Sequence, residues 1–186
     1  TVYFSKTLQR ADGFPVELGD IRCFSGVEDK RCVCGAGHGN RVVSTSLKDH
    51  YFNCVPCTKG STSSSPLSQG ACQYCDAGKY AEQNATTSCS GCPEGKYGTK
   101  RGSMSEKDCI NCEIGFYGPS KGMKECIDCP PGNSCGKKGM KIYDKCGYGS
   151  YQDMPKNTTC ILCPPGRYQS NEGHASCDEC PVGKNN

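Results

Sequence analysis

The large apolar residues of this chain are concentrated in its first third. Of the 24 Leu, Ile, Val and Phe residues, 15 lie in residues 1–55 and nine in residues 56–186. The first part contains short runs of β-branched and aromatic residues, separated by Gly and Asp clusters, a pattern that predicts short β-strands joined by turns. The runs are Val2-Tyr3-Phe4, Phe14-Pro15-Val16-Glu17-Leu18, Ile21-Arg22-Cys23-Phe24 and Arg41-Val42-Val43. After residue 55 a hydrophobic core cannot form, so we expect the chain to be held together loop by loop.

Cysteine is abundant where apolar residues are scarce. The 186 residues include 19 cysteines, and 15 of these follow residue 55. Such a content is typical of a disulfide scaffold. The chain also has no Trp, 24 Gly and 11 Pro, which argues against a single packed core. We therefore expect covalent bonds to replace hydrophobic packing.

The later cysteines follow an internal repeat. They form Cys-x-x-Cys pairs, which are Cys54/Cys57, Cys72/Cys75, Cys89/Cys92, Cys109/Cys112, Cys126/Cys129, Cys160/Cys163 and Cys177/Cys180. A glycine comes three residues after the second cysteine of each pair and also three residues after Cys146. In five of these eight units a tyrosine comes two residues after that glycine: Tyr80, Tyr97, Tyr117, Tyr151 and Tyr168. The glycine allows a tight turn with positive φ, and the tyrosine is the one large side chain available to cover the disulfide.

The repeat predicts the architecture. Closing a loop of about 15 residues with a disulfide contributes roughly 3 kcal/mol in the chain-entropy model. Units that contact only their neighbours form an extended array. We therefore predict a small disulfide-rich fold, mostly irregular with short β-hairpins, in which an elongated rod of tandem cysteine-rich repeats follows a small β-type N-terminal module.

Charge and motifs exclude several classes of protein. The formal net charge is +3, too small for a strongly basic nucleic-acid binder, and no apolar run is long enough for a membrane span in this segment. His38, His50 and His174 have no serine or carboxylate in a catalytic arrangement and are interpreted as solvated surface residues. Lys137, Lys138, Lys141 and Lys145 form a local basic patch, interpreted as a solvated loop or as a surface for an acidic partner. We predict no catalytic residues, no cofactor and no enzymatic activity.

Zinc binding is the alternative to disulfides, because paired Cys-x-x-Cys motifs also occur in zinc ribbons. Seven pairs cannot be divided evenly into four-ligand sites. Two N-glycosylation sequons, Asn84-Ala85-Thr86 and Asn157-Thr158-Thr159, indicate an oxidising compartment. We therefore expect disulfides and no metal site, and we expect Asn84 and Asn157 to carry N-linked glycans.

The repeats resemble a known family. CPPGRYQSNEGHASCDEC (163–180) and CPEGKYGTKRGSMSEKDCINC (92–112) look like the ephrin-receptor-like cysteine-rich repeat, which is related in pattern to the tumour-necrosis-factor-receptor repeat. Residues 129–163 resemble a longer variant with an inserted CPPGxxC loop. Residues 32–57 are similar to an EGF-like lead-in. The resemblance covers about residues 23–186, and residues 1–22 match no known pattern.

The resemblance implies the disulfide pairing, in which each pair closes onto the next. The implied bonds are Cys23–Cys32, Cys34–Cys54, Cys57–Cys72, Cys75–Cys89, Cys92–Cys109, Cys112–Cys126, Cys129–Cys135, Cys146–Cys160 and Cys163–Cys177. Cys23–Cys32, Cys34–Cys54 and Cys129–Cys135 are the less secure bonds, and Cys129–Cys146 with Cys135–Cys160 is an open alternative. Cys180 remains unpaired and begins a further Cys-x-x-Gly loop, so we expect the natural chain to continue past residue 186.

These features predict five segments. They are an N-terminal arm (1–22), a small β or EGF-like module (23–56), tandem cysteine-rich repeats (57–128), the longer variant repeat (129–162), and a last repeat with the start of a truncated one (163–186).

Two functions fit such a chain. The first is a non-enzymatic extracellular structural protein, secreted or on the cell surface, in which a glycosylated rod assembles with copies of itself or with other extracellular proteins into a filament, appendage or matrix. Here the 1–22 arm adds a strand to a neighbouring molecule. The second is the ligand-binding ectodomain of a tumour-necrosis-factor-receptor-like or other cell-surface receptor.

Overall fold

The computed structural model describes residues 2–3, 21–25, 30–34, 36–42, 52–64 and 71–183. The backbone divides into two compact units, the first comprising Thr1–Ser90 and Arg101–Ser105 and the second Gly91–Lys100 and Glu106–Asn186. Apart from one 3-10 turn at Glu106–Asp108, every regular element in the described part of the chain is a β-strand. No helix in that part is long and apolar enough to cross a lipid bilayer.

The longest strands lie near the N-terminus. A three-stranded antiparallel sheet contains β1 (Val2–Tyr3), β2 (Ile21–Ser25) and β3 (Lys30–Cys34), with β2 in the middle. A separate hairpin pairs β4 (His38–Val42) with β5 (Phe52–Pro56). Three of the four β-branched and aromatic runs thus contribute residues to strands, while Phe14-Pro15-Val16-Glu17-Leu18 lies outside the described residues. The boundary expected at residue 22 falls inside β2.

From residue 61 onward the chain is a series of two-residue strands in antiparallel hairpins. The pairs are β6 (Ser61–Thr62) with β7 (Gln73–Tyr74), β8 (Lys79–Tyr80) with β9 (Ser90–Gly91), β10 (Lys96–Tyr97) with β11 (Ile110–Asn111), β12 (Phe116–Tyr117) with β13 (Ile127–Asp128), β14 (Asn133–Ser134) with β15 (Asp144–Lys145), β16 (Ser150–Tyr151) with β17 (Ile161–Leu162), and β18 (Arg167–Tyr168) with β19 (Asp178–Glu179). In each hairpin the first strand follows a Cys-x-x-Gly turn, and the second lies just before the cysteine that opens the next repeat. Residues 129–162, expected as one longer variant, contain two of these hairpins.

A type II turn begins at the residue after the cysteine of each Cys-x-x-Gly motif and has the glycine as its third residue. In the repeat that begins at Cys112, Gly115 has a φ of 83°, and the N–H of Phe116 donates to the carbonyl of Glu113 at 3.1 Å. A type II turn needs positive φ at its third residue, which glycine adopts without steric cost. The recurring glycine is therefore required by the backbone.

Successive repeats are joined by backbone hydrogen bonds. The N–H of Gly115 donates to the carbonyl of Cys135 in the next repeat at 2.8 Å, and the N–H of Gly139 donates back to the carbonyl of Cys112 at 2.7 Å. The same two bonds join the following repeats, from Gly132 to Gln152 at 2.6 Å and from Lys156 to Cys129 at 2.9 Å. Successive repeats thus exchange hydrogen bonds between backbone groups, and these bonds do not depend on the identity of the side chains.

The contacts also reach the repeat after next. A Cβ added at Gly115 would overlap the carbonyl oxygen of Lys156, two repeats further on, and one added at Gly132 would overlap the carbonyl oxygen of Gly173. The expectation that units contact only their immediate neighbours was therefore too narrow. Within the second unit, the turn glycines Gly95, Gly115 and Gly132 lie where three consecutive repeats meet.

The interior consists of disulfides rather than aliphatic side chains. Among the described residues, the largest side chains that are fully buried are those of Gln152 and of eight cysteines. The predicted fold class, a small disulfide-rich fold of short hairpins in tandem, is confirmed.

Candidate functional site

Eight disulfides staple the described repeats. Their Cα atoms are 5.4–5.9 Å apart. The pairs are Cys34–Cys54, Cys57–Cys72, Cys75–Cys89, Cys92–Cys109, Cys112–Cys126, Cys129–Cys135, Cys146–Cys160 and Cys163–Cys177. These are the same pairs that the resemblance implies, rather than the alternative that joins Cys129 to Cys146. They form a ladder of short covalent loops along the chain.

The remaining cysteines are Cys23, Cys32 and Cys180. The strand register places Cys23 directly opposite Cys32, while their side chains lie outside the described residues. Cys180 is the free cysteine of the described part of the chain and is half-buried. Its N–H donates to the carbonyl of Gly166 at 2.9 Å, so its backbone already has the position of a repeat-opening cysteine.

A buried amide was missed at the sequence level. Gln152, 2% exposed, donates from Nε2 to the carbonyl of Thr159 at 2.7 Å and accepts at Oε1 from the N–H of Met154 at 3.2 Å. Gln169 makes the same two bonds in the next repeat, to Ser176 at 2.8 Å and from Asn171 at 3.0 Å. Each glutamine therefore ties the polar loop of its repeat to its hairpin. The available signal was the residue after the tyrosine, which is small or Gln in every unit: Ala81, Gly98, Gly118, Gln152 and Gln169.

The turns present exposed apolar side chains. From the repeat at Cys112 onward, the residue before each turn glycine is apolar, and its position recurs every 17 residues: Ile114, Pro131, Tyr148, Pro165 and Val182. We call these the apolar turn positions. Ile114 is 50% exposed, Tyr148 is 71% exposed, and Val182 is fully exposed. A type II turn favours proline here but does not require Ile, Tyr or Val, so the turn alone does not explain them. In earlier repeats the same position holds Lys59, Ala77 and Glu94.

Isoleucines in the hairpins add further apolar surface. Ile110, Ile127 and Ile161 lie directly opposite the repeat tyrosines Tyr97, Tyr117 and Tyr151, and each isoleucine is between 44% and 47% exposed. Directly opposite residues of an antiparallel pair share one face of the hairpin. The tyrosines are half-buried, as expected. Tyr117 also contacts Tyr143 of the next repeat edge to face, with ring centroids 5.1 Å apart.

Exposed charges pair between repeats. Arg101 contacts Asp76 at 3.4 Å, Lys138 contacts Glu113 at 2.8 Å, and Lys156 contacts Asp128 at 3.5 Å. Two lysines of the expected basic patch, Lys138 and Lys141, therefore lie beside carboxylates of preceding repeats, Lys141 at 4.0 Å from Glu94. Pairs this exposed contribute about 0–1 kcal/mol each, so they add little to the stability of the stacked repeats.

The two sequons lie on the polar loops. Asn84 is exposed, and its Oδ1 accepts from the N–H of Lys59 at 3.1 Å. Asn157 is half-buried, and its Nδ2 donates weakly to the carbonyl of Met154 at 3.4 Å. Both flank a non-glycine residue of positive φ, Ala85 at 58° and Lys156 at 63°. Asn84 precedes that residue and Asn157 follows it, so the two sequons are not at identical places in the repeat.

The described histidines are not part of a reactive cluster. His38 Nδ1 lies 3.2 Å from the carbonyl of Ala36, and the carbonyl of His174 accepts from the N–H of Gln152. His50 lies outside the described residues. In the part of the chain that the structure describes, no group of three or more His, Cys, Asp or Glu side chains is arranged to hold a metal ion.

Comparison with known proteins supports the interpretation of the repeats. A family model described as tyrosine-protein kinase ephrin type A/B receptor-like matches residues 62–109 and 149–186. No curated protein sequence matches the chain. The matched stretches contain the buried glutamines Gln152 and Gln169 and three of the described disulfides, Cys75–Cys89, Cys92–Cys109 and Cys163–Cys177, and they leave out residues 110–148. They also leave out residues 32–57, whose EGF-like character stays a prediction.

Proposed function

We propose that this chain, a tandem cysteine-rich repeat protein whose residues 62–109 and 149–186 match the ephrin-receptor-like family, is a structural protein of the extracellular space. In this proposal a glycosylated, disulfide-stapled array assembles with other copies of itself into a filament, a surface appendage or a matrix. Disulfides persist in oxidising compartments, which agrees with secretion or display on the cell surface.

The observation that carries the proposal is that the backbone and the disulfides hold each repeat in place, while its exposed side chains do not. Backbone hydrogen bonds and disulfides hold the stack, so exposed side chains are available for contacts with other molecules. Five successive repeats use that freedom to expose the apolar turn positions, although apolar side chains are scarce in this part of the chain. Contiguous exposed apolar patches mark sites that other proteins cover, and in this proposal the apolar turn positions together form such a patch.

The N-terminal arm supplies a second contact. Val2 and Tyr3 pair with Phe24 and Cys23 of the same chain, and β1 is the edge strand of its sheet. Exchanging so short an edge strand between copies is a low-cost route to assembly, because the same pairs form in either arrangement. The rest of the arm, residues 4–20, lies outside the described residues.

Electron microscopy of the unreduced protein tests assembly. We expect periodic filaments or oligomers. The combined substitutions Ile114→Ser, Tyr148→Ser and Val182→Ser should raise the critical concentration for assembly about a hundredfold or more, since each removes roughly 1–3 kcal/mol of apolar burial and about 1.4 kcal/mol is tenfold. Ile142→Ser is the matched control, because Ile142 is 69% exposed but lies outside the turns. Deletion of residues 1–22 tests the arm. Unassembled molecules at all concentrations contradict the structural role.

Glycans at Asn84 and Asn157 belong to the same proposal. They would cover the polar loops and leave the apolar turn positions bare. Removal by an N-glycosidase should lower the mass of secreted material by two glycans, and Thr86→Ala or Thr159→Ala should each remove one. Secreted protein with the bare polypeptide mass at both sites contradicts this part.

A receptor ectodomain is the second candidate, and the apolar turn positions favour it too. There the same side chains would contact a protein ligand, since exposed aromatic and aliphatic anchors commonly dominate binding energy. Single short particles by electron microscopy, together with a ligand whose affinity falls when Tyr148 is replaced, would select this function over the structural one.

A further inference from the structure

One segment of the array differs from all other polar loops in its covalent connections. Cys135 is bonded back to Cys129, six residues earlier, whereas in neighbouring repeats the bond spans the loop, as from Cys112 to Cys126 or from Cys146 to Cys160. Tyr143 stands where those repeats have their closing cysteine. As a result, none of the eight described disulfides connects a residue before 136 to a residue after 145. We call residues 136–145 the open loop.

Lysine is concentrated in that loop. It holds Lys137, Lys138, Lys141 and Lys145, and all four are exposed. Every other Lys or Arg between residues 71 and 183 lies inside a loop that a disulfide closes. Those residues are Lys79, Lys96, Lys100, Arg101, Lys107, Lys121, Lys124, Lys156 and Arg167. The basic residues outside any covalent ring in this range are thus confined to one ten-residue segment.

Non-covalent contacts anchor the open loop. The N–H of Gly139 donates to Cys112 at 2.7 Å, the N–H of Gly118 donates to Met140 at 2.8 Å, and Tyr143 contacts Tyr117. Between these anchors and Cys135 lie Lys137 and Lys138, and Lys138 makes only an exposed ion pair with Glu113. Local opening of this segment breaks a few hydrogen bonds and side-chain contacts, and no disulfide restrains it. Its free-energy cost is therefore lower than that of opening a loop closed by a disulfide.

We propose that the open loop is a proteolytic processing site for a lysine-directed, trypsin-like endoprotease, with the peptide bonds after Lys137 and Lys138 as its substrates. In the reaction, water adds across one such bond: the carbon–nitrogen bond breaks, the carbonyl carbon gains the hydroxyl as a new carboxylate, and the nitrogen leaves as a new amino terminus. The unprotected exposed lysines and the low cost of opening both direct the enzyme to this loop.

The outcome of cleavage follows from the disulfide pattern. A cut inside a closed loop leaves both pieces joined through a disulfide. A cut in the open loop produces two pieces with no covalent connection. Hydrogen bonds across the cut, such as Gly132 to Gln152 and Lys156 to Cys129, hold the pieces together until the fold is denatured. The loop therefore allows the array to be divided without reduction.

Limited trypsin digestion of the folded, unreduced full chain tests the proposal. We expect the first products to be residues 1–137 or 1–138 and the complementary C-terminal piece, separable in denaturant without reductant. Cleavage here should be at least about tenfold faster than at any closed-loop site, because proteolysis follows the population of the opened state. A first cut at a closed-loop Lys or Arg, or pieces that separate only after reduction, overturns the proposal.

A matched variant restores the regular repeat. The double substitution Cys135→Gln and Tyr143→Cys permits a bond from Cys129 to the cysteine introduced at position 143, with the same span as Cys112–Cys126. The introduced Gln takes the place that Gln152 has one repeat later. In this variant any cut after Lys137 or Lys138 should leave pieces that part only with reductant. If the missing ring is what makes this loop easy to cleave, cleavage after Lys137 or Lys138 should also slow about tenfold or more in this variant. Cleavage at the wild-type rate, with the new bond shown by mapping, contradicts the proposal.

A second variant tests the proposal even if the double variant does not fold. Lys137→Ser and Lys138→Ser together remove the two proposed cleavage sites and leave every disulfide in place. The fragment that ends at residue 137 or 138 should then disappear, and a two-piece product that still forms at the wild-type rate overturns the assignment.

Discussion

At the residue scale, glycine and glutamine have roles that the cysteine pattern does not reveal. The turn glycines provide positive φ, as the repeat motif predicts. They also let a carbonyl group from two repeats away approach the turn, which the motif does not predict. Gln152 and Gln169 replace a hydrophobic core with buried, hydrogen-bonded amides. Buried polar groups are tolerated when their hydrogen bonds are made, and here they close the loops that have no apolar side chain to pack.

Two turn glycines separate the effect of φ from that of packing. Gly115 and Gly149 both have positive φ, 83° and 70°, but a Cβ at Gly115 meets the carbonyl of Lys156, whereas one at Gly149 meets nothing within 4 Å. Gly149→Ala should therefore lower the free energy of unfolding by about 1–2 kcal/mol through backbone strain alone. Gly115→Ala should lose a further ~1–3 kcal/mol by overpacking. Thermal or denaturant unfolding measures both, and equal losses would contradict the three-repeat contact.

Removal of the buried amide should destabilise one loop. Gln152→Ala leaves the carbonyl of Thr159 and the N–H of Met154 without their partner, at a cost of about 1–3 kcal/mol. Hydrogen exchange at the Met154 amide should accelerate correspondingly. Gln73→Ala is the control, because Gln73 is exposed and bonds only weakly to Ala71 at 3.3 Å. Unchanged exchange at Met154 would show that the glutamine does not hold the loop.

At the element scale, the unit of structure is a β-hairpin whose strands have two residues each, together with the disulfide of its repeat. A hairpin this short is not stable in isolation. Its strands persist because the type II turn, the disulfide and the hydrogen bonds from the next repeat act together. This explains why residues 129–162 contain two regular hairpins despite an irregular cysteine pattern: the turn at Gly132 and its backbone bonds are unchanged, and only the closing cysteine is replaced by Tyr143.

The disulfide pairing of that region is a prediction at this scale. Peptide mapping of unreduced protein should give Cys129 linked to Cys135 and Cys146 linked to Cys160, with Cys180 available to an alkylating reagent. The physical reason is proximity, since Cys129 and Cys135 lie on either side of the turn at Gly132 with their Cα atoms 5.9 Å apart. A peptide that joins Cys129 to Cys146 would favour the alternative pairing and would close the open loop.

At the scale of the whole molecule, the expectation of an elongated rod rests on the tandem arrangement of the repeats. A compact globule of this length would have a radius of gyration of about 16 Å. Small-angle X-ray scattering of monomeric protein should give a clearly larger value and a distance distribution skewed to long distances. A value near that of the globule would show that the repeats fold back on one another.

The sequence by itself determined the module type, the repeat period and the places of the turns, because these depend on local covalent geometry: glycine at the third residue of a type II turn, and cysteines a fixed number of residues apart. The resemblance carried by these local motifs then implied the disulfide pairing. The sequence did not reveal Gln152 and Gln169 as interior groups, since a lone Gln in a polar loop is usually a surface residue.

Only the tertiary structure decided which side chains are left exposed and which backbone groups meet. Ile114, Tyr148 and Val182 belong to ordinary Cys-x-x-Gly motifs until the stack forms around the turns and leaves these side chains uncovered. Likewise, the contact of Gly115 with Lys156 joins residues two repeats apart, and no local rule relates them. Such contacts depend on the rise and rotation from one repeat to the next, which the backbone hydrogen bonds between repeats set and the spacing of cysteines does not.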